Sequence, residues 1–98
     1  MKKIVLVLLF IITYSFTNTL EDGKLAYDNN DYIKAFKIYE ELASNGNANA
    51  QYALGLMHAK GNGVIQDYKK AVYWYEKAAI QGILEAQYML YYIYSFGS

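Results

Sequence analysis

"KGNGVIQDYKKAVYWYEKAAIQG", Lys60 to Gly82, decides how the chain is read. Gly61, Gly63, Lys69 and Lys70 are residue types that can cradle a phosphate at a helix start, and they are equally the joint and first turn of a helical hairpin. A phosphate loop follows a β-strand and carries more glycine than this. What precedes Lys60 instead is a helical stripe of Ala50, Leu54, Met57 and His58. The glycines therefore turn the chain, because glycine takes positive φ without a Cβ clash. Val64 is expected to tuck back between the helices, and Asp67 to start the next one.

The same stretch has a counterpart upstream. Shifted by 36 residues, "DYIKAFKIYEELASNG" from Asp31 lies over "DYKKAVYWYEKAAIQG" from Asp67, with Asp31/Asp67, Tyr32/Tyr68, Ala35/Ala71, Tyr39/Tyr75, Ala43/Ala79 and Gly46/Gly82 identical. The shift continues onward, placing Ala50, Gln51, Tyr52 and Leu54 over Ala86, Gln87, Tyr88 and Leu90. A period of this length is the mark of stacked helical units. Asp31 and Asp67 are placed as N-caps, whose carboxylates take up orphan amide protons, and Gly46 and Gly82 as left-handed residues after a helix. Tyr68, Ala71, Tyr75, Ala78 and Ala79 form the apolar face between them. The layout predicted is helices at about 20–29, 31–45, 47–60, 67–81 and 83–96. This is an all-α solenoid of antiparallel helix pairs, about two and a half repeats long.

Ala50, Leu54-Gly55, Gly61-x-Gly63-Val64, Asp67, Lys70-Ala71, Trp74-Tyr75, Lys77-Ala78-Ala79 and Gly82 together resemble one complete Sel1-like repeat, a subclass of the tetratricopeptide-type helical repeats. His58 departs from the tyrosine usual in that pattern, and Tyr94 restores it 36 residues later. The first pair, Leu20 to Gly46, is closer to a plain tetratricopeptide unit. It lacks the Gly-x-Gly insertion, since Tyr27 stands four residues before Asp31 whereas His58 stands nine before Asp67. Gly55 is expected to let the second helix of its unit approach closely. Tyr91 replaces it in the last unit, either as a cap over an open end or as the sticky face of a unit cut short; both readings stand.

The beginning of the chain has a different character. Lys2 and Lys3 precede nine apolar residues, Ile4 to Ile12, and then Thr13, Ser15, Thr17 and Asn18. That is the layout of a secretory signal peptide, and the run is shorter than the roughly 20 residues that cross a bilayer. Residues 1–19 are expected to be removed, leaving residues 20–98 as a repeat domain in the bacterial periplasm or secreted, with no membrane insertion after leader cleavage. The mature chain keeps seven lysines against nine acids, a charge of −2, and no arginine, which argues against a nucleic-acid partner.

Catalytic chemistry has little to stand on. The chain has no cysteine and a single histidine, His58, on the stripe with Ala50 and Leu54, where a partly buried, hydrogen-bonded side chain is expected rather than a ligand or base. "YDNNDY", Tyr27 to Tyr32, lacks the glycine and distal glutamate of a calcium loop and reads as a turn before an N-cap. Glu40 and Glu41 are adjacent on a helix and point apart. No enzyme, metal or cofactor is expected. Binding has better grounds, because twelve tyrosines supply large amphipathic area. In tetratricopeptide-type arrays the first helices of the pairs line the concave side. There Tyr52 and Leu56, with Tyr88 and Tyr92 one repeat later, form a candidate ladder for a protein or peptide partner, unless they pack between repeats. With the leader, the resemblance thus suggests an exported protein-binding adaptor or scaffold. The alternative is an immunity or inhibitor protein against an envelope-targeted toxin, for which the charge favours a basic partner.

Overall fold

The computed structural model describes residues 18–96, which form five helices. They are α1 (Leu20–Asp28), α2 (Tyr32–Ser44), α3 (Ala48–Lys60), α4 (Tyr68–Ile80) and α5 (Leu84–Phe96). Each helix packs chiefly on its neighbours in sequence, giving an antiparallel array. The helix ends fall within a residue or so of those expected, because the caps that mark them are local chemistry. Asp31 accepts from the Lys34 amide at 3.3 Å, and Asp67 from the amides of Lys69 and Lys70 at 3.0 and 3.2 Å. Asn47 caps α3 through the Ala50 amide at 3.0 Å. Thr19 and Asp22 close a reciprocal capping box on α1. Of residues 1–19, read as a signal peptide, all but Asn18 and Thr19 lie outside those described.

Gly61 ends α3 in the left-handed region at φ 74°. Gly63, at φ 75°, also permits a close approach, since a Cβ there would stand 2.9 Å from the carbonyl carbon and oxygen of Tyr32. The loop between α3 and α4 thus lies directly on the first residue of α2. It is held by Asn62 donating to the Tyr27 hydroxyl and by Gln66 donating to the Ala59 carbonyl, both at 2.8 Å. Val64 is half-buried beside it, in keeping with its expected place between the helices. In "YDNNDY", Asn30 takes φ 63° to make the turn, Asp28 pairs with Lys24, and Asp31 caps α2.

The interior divides into two clusters. Ala26, Ala35, Tyr39, Ala43, Ala50, Leu54 and Met57 fill the space among α1, α2 and α3, with Trp74 packed against them from α4. Ala59, Ala71, Tyr75, Ala78 and Ala86 fill the space among α3, α4 and α5. Of the apolar face predicted for α4, Ala71, Tyr75 and Ala78 are buried and Ala79 half-buried, while Tyr68 at the helix start is exposed. Small residues dominate both clusters, so the helices lie close and a single ring, Tyr39 or Tyr75, fills the middle of each pair.

The identical glutamines of the repeat also have a job. Gln51 donates to the Ala43 carbonyl and Gln87 to the Ala79 carbonyl, each at 3.2 Å. Each bond ties the start of one unit to the end of the unit before it. Gln81 adds bonds to the Gly46 carbonyl and to Gln51 Oε1 at 3.0 and 2.9 Å.

Candidate protein-interaction site

The ladder Tyr52, Leu56, Tyr88 and Tyr92 is not one continuous face. Tyr52 and Leu56 are half-buried against the second cluster, and the Tyr52 ring lies 5.9 Å from that of Tyr75. Burial, and then the Glu85 carboxylate, raise the Tyr52 phenol above its ordinary pKa. Tyr88 and Tyr92 remain open, 65 % and 51 % exposed. The difference lies in the cover each helix receives. The side of α3 that carries Tyr52, Gly55 and Ala59 is covered by α4. No described helix covers the equivalent side of α5, where Tyr88, Tyr91 and Ser95 stand at the same register.

That open side is broader than the sequence pattern marked. Leu84 is 72 % exposed and Tyr91 70 %, and with Tyr88 and Ser95 they recur at intervals of four, three and four residues. This is the seam spacing by which one helix receives another. Tyr92 flanks the seam and lies against Phe96, tilted, with ring centroids 5.1 Å apart. Beside them Tyr68, Tyr92, Ile93 and Phe96 line a groove of about 280 Å³. On the other flank the Tyr94 hydroxyl donates to Glu76 Oε1 at 2.7 Å, fastening α5 to α4. From Ala86 to Phe96 the helix carries no charge. Tyr91 is singled out in sequence over Gly55, as a cap or a sticky face; Leu84 is missed, though the 36-residue shift shows it as a large side chain over Ala48.

A second concavity, about 720 Å³, lies between α2, α4 and the loop joining α3 to α4, with Phe36, Glu40, His58, Asp67, Lys70 and Trp74 among its walls. His58 is 6 % exposed and sits edge-on to Phe36 at 5.4 Å. Its Nδ1 has no hydrogen-bond partner, in contrast to the bonded side chain expected from sequence. Burial, and then Lys70, push its pKa down, against Asp67 and Glu40. A neutral imidazole in a wall of packed aromatics is a core residue. Among the described residues no group of His, Asp and Glu side chains is arranged to hold a metal ion.

The Sel1 repeat model matches residues 20–47 and 48–83. The chain belongs to the Sel1 repeat family. Sel1 repeats are in general protein–protein interaction modules and typically non-catalytic. The two matches correspond to α1 with α2 and α3 with α4, so α5 lies beyond them. No curated protein matches the chain. Counted from the glycines that meet Tyr39 and Tyr75, Gly23 and Gly55, it is Ala26 rather than Tyr27 that corresponds to His58. Among the described residues no helix is long and apolar enough to cross a membrane.

Proposed function

We propose that the chain is a non-catalytic adaptor that acts outside the cytoplasm after loss of its leader and engages protein through the open side of α5. The observation that carries this reading is the face itself. Where α3 presents Gly55 and Ala59 to a covering helix, α5 presents Tyr88, Tyr91 and Leu84 to solvent. A solvated helix face is ordinarily polar. Contiguous exposed apolar area of this kind is characteristic of docking surfaces, and tyrosine is enriched at them.

Photo-crosslinking in cells tests it. A photoreactive residue at position 88 or 92 is expected to trap a protein, whereas one at position 41, on the exposed side of α2, is not. Equal trapping at all three positions, or none at any, overturns the reading. Trapping of a secreted toxin would replace the adaptor with an inhibitor on the same face.

A further inference from the structure

We propose that the occupant of the α5 face is the α5 of a second copy of this chain, packed antiparallel about a two-fold axis. The inference rests on the reading of that face as a protein-docking surface. A further Sel1-type helix is a poor fit to it. In both complete units the first helix offers a glycine to the ring of its second helix: a Cβ on Gly23 would lie 2.8 Å from Tyr39, and one on Gly55 2.5 Å from Tyr75. Tyr91 fills that position in α5, so a helix carrying the usual tyrosine cannot approach to the usual distance.

The seam is instead complementary to itself. Leu84 and Ser95 are equidistant from the midpoint of the stripe, and so are Tyr88 and Tyr91. Antiparallel pairing therefore sets Tyr88 against the partner's Tyr91 and Leu84 against the partner's Ser95, twice over, which is the residue-for-residue reciprocity of a two-fold interface. Charge is compatible with the same orientation. Glu85 is the one charged residue of α5. Parallel pairing would set two such carboxylates at the same height on opposite flanks of the pair. Antiparallel pairing holds them about 14 Å apart along the axis at 1.5 Å rise per residue, beyond a screening length of about 8 Å.

Area is sufficient. A fully covered aromatic side chain buries roughly 150–250 Å². Tyr88, Tyr91 and Tyr92, all at least half open, together with Leu84 thus present roughly 500 Å² in each copy. With all of that area covered, two copies bury about 1,000 Å² in total, the threshold for a biological interface and the range of a weak dimer.

The test is sedimentation equilibrium on the protein purified from cells expressing the full chain, combined with cysteine cross-linking, for which a cysteine-free chain is suited. The expected result is a concentration-dependent monomer–dimer equilibrium whose dissociation constant rises at least about tenfold in Tyr91→Lys, with helicity unchanged. Under mild oxidation, the Leu84→Cys chain mixed with the Ser95→Cys chain should form a disulfide, while the Leu84→Cys chain alone should not. Two such residues would lie about 16 Å apart axially, too far for a bond that needs Cα atoms within about 7 Å. Self-linking of the Leu84→Cys chain without linking to the Ser95→Cys chain overturns the antiparallel pairing. A protein that stays monomeric at every concentration overturns the dimer. In that case a crosslink from position 88 to some other protein leaves the interaction reading standing, and its absence removes both.

Discussion

Gly55 and Tyr91 occupy the same register of successive units and meet opposite surroundings. Gly55 is buried, its α-carbon pressed under the ring of Tyr75, which is itself fully buried. Tyr91 is exposed on a helix whose corresponding side no described helix covers. One position therefore shows both what a Sel1 repeat needs inside and what it leaves at its edge. Inside, closeness of two backbones matters more than side-chain area. At the edge of the described array, large side chains present area that no described helix covers.

Exchanging the two residues is the most direct way to break the contrast. Gly55→Tyr forces a phenol into space held by Tyr75, and is expected to cost more than about 3 kcal/mol, above the usual range for overpacking. Domains of this size are stable by about 5–15 kcal/mol, so thermal melting by circular dichroism should show a collapse of Tm or no cooperative transition. Tyr91→Gly makes the edge resemble the interior. Its cost within the monomer is about 0.5 kcal/mol of helix propensity, and a larger loss that does not vary with protein concentration would mean that Tyr91 packs within the monomer.

Gly63→Ala comes next, with about 2 kcal/mol expected. Positive φ strains any other residue by about 1–3 kcal/mol, and the new Cβ would press on the Tyr32 carbonyl, a backbone group that cannot swing away. If urea unfolding finds it neutral, the loop between α3 and α4 does not rest on α2. Tyr75→Phe tests the interior from the other direction. The Tyr75 hydroxyl is buried without a partner, and burial drives its pKa far up. Removing an unsatisfied hydroxyl of this kind should leave stability unchanged or raise it by about 1 kcal/mol. A clear loss in the same melts would reveal a bond to that oxygen.

The fold was readable in the sequence because its determinants are short-range. Asp31, Asp67, Gly46, Gly61 and Gly82 each act on backbone within a few residues, and the 36-residue shift exposes them twice. The site was half readable. Tyr88 and Tyr92 were marked by periodicity, but periodicity assigns the same face to Tyr52 and Leu56, and only the presence of α4 over α3 separates them. Likewise, nothing near Gly63 in sequence announces Tyr32, and nothing near Gln87 announces the carbonyl of Ala79. These contacts cross between units, and their geometry is set by how the helices stack.

The smallest expected effect sharpens the comparison at a second pair in register, His58 on α3 and Tyr94 on α5. Tyr94 is open and bonded to Glu76, whereas His58 is shut against Phe36 with its Nδ1 unpaired. Burial, then Lys70, lower the His58 pKa in the fold, and the carboxylates of Asp67 and Glu40 offset this only in part. Unfolding returns the imidazole to its ordinary value of 6.5, so below that pH the unfolded chain binds more proton than the folded one. The contribution is therefore complete above about pH 6.5 and is lost as pH falls toward and through the depressed folded value. Melts taken at intervals from neutral pH to pH 5 should show Tm falling on the acid side, and His58→Gln should flatten that part of the profile. If the slope persists in His58→Gln, the acid sensitivity belongs to other groups. If wild type is flat, the imidazole exchanges its proton freely with solvent, and the cover over α3 is looser than its contacts indicate.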